Sequence, residues 1–282
     1  MTTLSERLRR LAVTTLEPVV GSDRWYALRE RAGRVSSSEK RGRRLEAMDL
    51  TELAKEFGTD KWGNHRYTPR YQRHLEHLRD QEFTLLEIGI GGYERSRQGG
   101  ASLRMWRWFF PRARIIGLDI EDKSFVDTDR IRSFVGSQTD ADVLRRIVAE
   151  EGAPLVVIDD GSHRPEHIRE TFAMLFPLLP DGGVYAIEDT QTSYWPRWGG
   201  SLDRQDPTTS MALVKDLVDG LNHAEFLDDG YAPSYTDDHV LAVHCFHNLV
   251  IIEKGDNTAK LKRGRIERER RFLPGGPGSA SV

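Results

Sequence analysis

Short apolar runs alternating with amphipathic stretches organise the middle of this chain. Residues 84–90 form a first run, followed by a predicted helix over 102–110, and residues 113–120 form a second. A third strand is predicted at 131–135 with a helix over 140–151. A fourth is predicted at 155–158 with a helix over 165–176, and a fifth at 183–187. Residues 240–246 and 248–253 read as a closing strand pair. Parallel strands need crossover helices, and strands covered on both faces read as continuous apolar runs. The alternation therefore predicts an α/β, Rossmann-like fold with a mainly parallel sheet and helices on both faces.

Glycines and carboxylates fall at the C-terminal ends of these runs, the edge where open α/β sheets bind ligands. Glu87-Ile88-Gly89-Ile90-Gly91-Gly92 is placed as a nucleotide-binding turn. A dinucleotide fingerprint counted from Gly89 needs a third glycine at 94, where Glu94 stands, and a pyrophosphate beside Glu87 and Glu94 meets like charge. S-adenosylmethionine carries an ammonium and a sulfonium instead, so Glu87, Gly89 and Gly91 suit it better than NAD. The plainer alternative is a strand-to-helix turn. Asp119, at the tip of the second run, is placed to accept the ribose hydroxyls. It stands 28 residues beyond Gly91, with the polar insertion 93–100 accounting for the excess over the compact motif. Ser137 and Gln138, after the third strand, are where adenine is expected.

Two strand ends carry paired carboxylates, Asp159-Asp160 and Glu188-Asp189. If strands four and five are neighbours, these groups crowd together and require neutralisation. A hard cation answers this, with Asp160, Glu188 and Asp189 as ligands to Mg2+ and Asp159 holding the loop or the cofactor. Helix capping by the same acids is the competing account. His163, three residues beyond Asp160, is either a general base for a hydroxyl acceptor or an ordinary capping residue. His163-Arg164-Pro165-Glu166-His167 matches the zinc-peptidase pattern H-x-x-E-H, but Pro165 favours a helix start over a helix interior. Tyr194, Trp195 and Trp198 follow the second acidic pair in a loop suited to packing on a sugar face. Tyr67, with Tyr71, precedes the first strand and is assigned to acceptor binding; core packing is the alternative for all of them.

The net charge of −3 argues against a dedicated nucleic-acid binder, and basic runs near 7–10, 40–44 and 260–271 read as solvated tails. The single cysteine, Cys245, excludes an intrachain disulfide or a cysteine-rich zinc site and reads as a buried small hydrophobe. No apolar run approaches the ~18 residues of a membrane span, so a cytoplasmic protein without membrane partners is expected. Residues 1–47 read as a basic, partly helical extension with a helix over 4–16 and a linker-like stretch at 34–44. The catalytic domain is expected over 48–255, and a basic, Gly/Pro-containing tail over 256–282.

Taken together, Gly58-Thr59-Asp60-Lys61, His65, Tyr67, the glycine loop, Ser102-Leu103-Arg104-Met105-Trp106, Gly117-Leu118-Asp119-Ile120, Ile158-Asp159-Asp160-Gly161-Ser162-His163 and Ile187-Glu188-Asp189 with Thr192-Ser193-Tyr194-Trp195 resemble the macrolide sugar O-methyltransferases of the mycinamicin and tylosin pathways. The match covers about residues 50–255. It implies a class I, seven-stranded methyltransferase fold, S-adenosylmethionine and Mg2+ as cofactors, a saccharide or other small-molecule acceptor, and a homo-oligomer. It also implies metal ligation by Asp160, Glu188 and Asp189, with His163 as general base. The large N-terminal domain of some relatives has no counterpart in this sequence. Gln191 stands where a histidine is expected, a departure that bears on the acceptor pocket. A catechol O-methyltransferase and a cephalosporin hydroxylase-like enzyme are the rival readings.

Overall fold

The computed structural model describes residues 40–63, 65–92, 98–228, 230–258 and 263–273. In it the apolar runs become β1 (Thr84–Ile88), β2 (Arg114–Asp119), β3 (Ile131–Val135), β4 (Val156–Asp159) and β5 (Val184–Glu188). The closing pair is β6 (Val240–Phe246) and β7 (Leu249–Lys254). Helices α1 (Leu50–Phe57) and α2 (Thr68–Leu75) precede β1. The crossovers are α3 (Ala101–Phe109), α4 (Ala141–Glu151) and α5 (Pro165–Leu175). Beyond β5 come α6 (Ser210–Gly220) and α7 (Tyr235–His239), and α8 (Arg263–Arg270) follows β7.

The strands form one sheet in the order β3-β2-β1-β4-β5-β7-β6. The first five are parallel, while β7 runs antiparallel to β5 and to β6. This is the seven-stranded, Rossmann-like α/β sheet that the sequence predicts, with the closing antiparallel pair at one edge. Every residue of β1 and β5 is buried, which explains why their sequences do not alternate. Leu86, Ile88, Val157, Phe172, Leu175, Tyr185 and Ile187 belong to one core on the α5 side of the sheet. β4 and β5 are neighbours, with Asp159 opposite Ile187. The order in which strands are added to the sheet reverses between β1 and β4, so Gly89 and Asp160 emerge side by side at the switch point where such sheets bind ligands.

Three expectations change. Cys245 is exposed, because β6 is the outermost strand and lacks a neighbour on one edge. Residues 40–44 of the linker-like stretch are helical, in a helix that continues to residue 46, as long straight-chain Lys, Arg, Leu and Glu side chains allow. Part of the basic tail forms α8, whose last four residues alternate Glu and Arg. The described residues divide into two units between Asp49 and Leu50, and the sheet belongs to the second. The predicted helix at 4–16, the insertion residues 93–97 and the tail residues 274–282 lie outside the described residues. Among the described residues no helix is long and apolar enough to cross a membrane.

Candidate functional site

Lys61, in the loop between α1 and α2, is 1% exposed and forms the centre of the site. Its Nζ donates to Asp160 Oδ2 at 2.8 Å and to Glu188 Oε1 at 2.7 Å. It also meets Glu87 Oε1 at 3.1 Å, an ion pair not aligned as a hydrogen bond. Tyr71 donates to the same Glu188 oxygen at 2.6 Å. Burial alone lowers an ammonium's pKa, but Asp160, Glu188 and Glu87 together raise that of Lys61 well above its ordinary value. Burial raises Glu87, with Lys61 opposing, and burial and then Asp160 raise Glu188. The crowded carboxylates are thus partly neutralised by a residue of the chain itself. Nothing in the spacing of Gly58-Thr59-Asp60-Lys61 announced this, since only the tertiary fold brings Lys61 across 99 residues to Asp160 and 127 to Glu188.

A second layer lies around Asp189. Its Oδ1 accepts from the Tyr67 hydroxyl at 2.7 Å and lies 3.7 Å from His65 Nδ1, while its Oδ2 lies 3.8 Å from His163 Nε2. His65 stacks on Tyr67 with ring centroids 4.7 Å apart. The Tyr67 hydroxyl also lies 3.1 Å from the carbonyl of Asn248, in the β6–β7 turn. Tyr67 is therefore buried and anchors Asp189, with burial and then Asp189 raising its pKa. His163 and Asp189 both adopt positive φ, at 55° and 52°. Such conformations are uncommon for non-glycine residues and collect at functional sites. Donor atoms of Asp160, His163 and Asp189 all lie within 4.8 Å of one another. Glu188 is outside that trio, and Lys61 and Tyr71 both donate to its Oε1. His163 precedes α5, which starts at Pro165, and His167 Nδ1 bonds Ser162 Oγ at 2.8 Å. The two histidines therefore do not share a helix face as a zinc peptidase needs.

The glycine loop lies alongside. Gly89 and Gly91 have φ of 85° and 74°. A Cβ at Gly89 would run into the Asp160 carbonyl, whereas one at Gly91 would meet open space. Gly89→Ala is expected to cost roughly 2–5 kcal/mol, from the left-handed backbone and the collision together, read as a lower urea midpoint. An unchanged midpoint would show that the loop simply shifts. Asp119 accepts from Ile90 N and from Glu121 N, one bond per oxygen at 2.9 Å, so it both braces the loop and keeps lone pairs for a ribose. Exposed Ile120 follows it.

The other predicted cofactor residues hydrogen-bond within the protein, Asp159 in the loop-holding role that is one of its two expected ones. Gln138 is buried, donates to Asp159 and Thr171 at 3.1 Å, and accepts from Ser162 N at 2.8 Å. Asp159 is also buried, bonded by Gln138 and by Tyr185 at 3.1 Å, and burial pushes its pKa up to about 7. These two brace the Gly161–Ser162 turn that presents His163. Ser137 bonds Thr139 at 2.9 Å. Tyr194, Trp195 and Trp198 are exposed, and the Trp198 ring stands 6.3 Å from that of His163. Gln191 carries a buried side-chain oxygen without a hydrogen-bond partner.

No family model matches the chain. It is 49% identical over 224 residues to a demethylmacrocin O-methyltransferase of Streptomyces fradiae, covering 78% of this chain and 57% of that protein. It is 48% identical over 212 residues to a mycinamicin VI 2''-O-methyltransferase of Micromonospora griseorubida, covering 74% and 53%. Among solved structures, the MycE methyltransferase of the mycinamycin biosynthetic pathway, in complex with Mg and SAH, matches with a TM-score of 0.73 and 43% identity. That match covers 79% of this chain and 60% of the other. The chain thus spans little more than half the length of the curated relatives it matches.

Proposed function

We propose a function from one established premise: over the stretch shared with these relatives, the chain belongs to the macrolide sugar O-methyltransferase family, with the class I S-adenosylmethionine-dependent fold. The proposed reaction is transfer of a methyl group from S-adenosylmethionine to a sugar hydroxyl of a glycosylated natural product or saccharide, with Mg2+. The domain that performs it spans residues 48–255, between the basic extension 1–47 and the tail 256–282.

The observation that carries this reading is the meeting of Asp160, His163 and Asp189 within 4.8 Å beside the Gly89–Gly92 turn. The residues fit both cofactors. Asp160, Asp189 and the second oxygen of Glu188 are hard oxygen donors, and the carboxylates outnumber the Lys61 ammonium, so a divalent cation still lowers the repulsion. When bound, Mg2+ supplies positive charge that makes a nearby hydroxyl a stronger acid. S-adenosylmethionine, when bound, supplies the electrophilic methyl group. Gly91 leaves open space for it, Asp119 offers lone pairs to the ribose, and Ile120 gives the adenine an apolar surface.

His163 takes the hydroxyl proton on Nε2, the ring nitrogen that lies 3.8 Å from Asp189 Oδ2. With S-adenosylmethionine bound, the acceptor oxygen would be the nucleophile for the methyl group it supplies, the carbon–sulfur electron pair going to sulfur. Trp198, with Tyr194 and Trp195, offers exposed rings to the apolar face of a sugar.

Titration calorimetry with S-adenosylhomocysteine, with and without Mg2+, is expected to show roughly micromolar binding, and labelled-methyl assays are expected to mark glycosides rather than catechols. An absence of binding in both conditions would sink the methyltransferase reading. Binding with transfer to catechols alone would sink the sugar acceptor.

A further inference from the structure

On the same sheet, a second set of ligating side chains converges that methyl transfer does not use. His74 lies in the last turn of α2, three residues beyond the buried Tyr71. His244 lies on β6 and Glu253 on β7. Ala242 faces Glu253 across this antiparallel pair, and His244 is the next residue on the same face, so the imidazole reaches the carboxylate diagonally. His244 Nε2 stands 3.0 Å and His74 Nδ1 3.3 Å from one and the same oxygen, Glu253 Oε1. The two imidazole centroids are 4.2 Å apart.

We infer that His74, His244 and Glu253 form a second metal site, selective for Zn2+ over Mg2+, that clips α2 to the β6–β7 pair. The spacing carries it. Zinc bonds of about 2.0–2.1 Å at tetrahedral angles place donor atoms roughly 3.3–3.4 Å apart. The two nitrogen–oxygen separations are already close to that, and all three donor atoms fall within 4.8 Å of one another. Two imidazoles and one carboxylate suit zinc and exclude magnesium, which takes oxygen ligands. The His74 side chain is 10% exposed, while those of His244 and Glu253 are 35% and 40% exposed, so the site opens on one side and water completes the tetrahedron. Phe246 walls the inner side, its ring 5.9 Å from that of His74.

The site is distinct from the carboxylate cluster. Glu253 faces Val184 at the start of β5, four residues and about 13 Å of strand from Glu188. Its ligands nonetheless bear on the cluster through α2, which carries Tyr71 onto Glu188.

Cobalt(II) is the probe, titrated into the metal-free protein with Mg2+ saturating the carboxylates. The expected result is one equivalent of Co2+ with the intense visible bands of tetrahedral coordination, displaced by Zn2+. The bands should be lost in His244→Ala and Glu253→Gln and kept in His163→Asn. Zinc at a hundredfold excess over Kd is expected to raise the Tm of the unsubstituted protein by roughly 5–10 °C and to leave that of Glu253→Gln unchanged. Glu253 is half exposed, so that variant folds, which an unaltered Tm in chelator verifies. Absent bands, bands surviving in both variants, or bands lost only in His163→Asn would each overturn the site. In that case the trio is a metal-free hydrogen-bonded network. Neither outcome depends on adenosylmethionine binding or on methyl transfer.

Discussion

His163→Asn is expected to reduce turnover by about 10²–10⁴-fold, the range for losing a positioned general base, with S-adenosylhomocysteine binding unchanged. Asparagine is the informative substitution because residue 163 has φ 55°, a conformation asparagine tolerates better than alanine. It keeps the turn and removes the base. Ser162 N remains bonded to Gln138 and Ser162 Oγ to His167, so the backbone that presents residue 163 stays in place. Single-turnover rates measured beside calorimetry separate chemistry from binding. A variant with full activity would remove His163 from the mechanism, and one that no longer binds the cofactor product would make its role structural.

Lys61→Met is expected to destabilise the protein by about 3–5 kcal/mol near neutral pH, because it strands buried carboxylates without their cation. Methionine keeps much of the volume, so packing contributes little to the loss. The pH dependence tests the cause. Burial already raises Glu188 above its ordinary 4.5, and without Lys61 it rises further. An acid raised in the folded state adds stability below its unfolded pKa and loses it as pH climbs through the folded value. The deficit of Lys61→Met relative to the unsubstituted protein is therefore expected to narrow as pH falls from about 8 toward 5. Urea unfolding at several pH values measures this. A deficit independent of pH would mean that lost contacts, not stranded charge, explain the change.

Much of this was legible along the chain. Apolar runs without alternation, separated by helices, determined a parallel sheet, because strands covered on both faces need no polar side. The same pattern put Glu87, Asp119, Asp160 and Glu188 at strand ends, and Pro165 marked a helix start that removed the peptidase reading. What the sequence left undetermined were partnerships across long separations. Lys61 was one residue of a motif without a role, and only packing of the α1–α2 loop over the sheet edge makes it the ammonium among three carboxylates. The sequence offers Tyr67 for the acceptor or the core and Gln138 for adenine; it does not say that their polar atoms meet Asp189 and Asp159, which follows from burial, since a buried hydroxyl or amide must find a partner within the protein. His74, His244 and Glu253 carried no local signal at all, because a diagonal across two antiparallel strands and the end of a distant helix is a relation of register and packing, and neither is written in spacing along the chain.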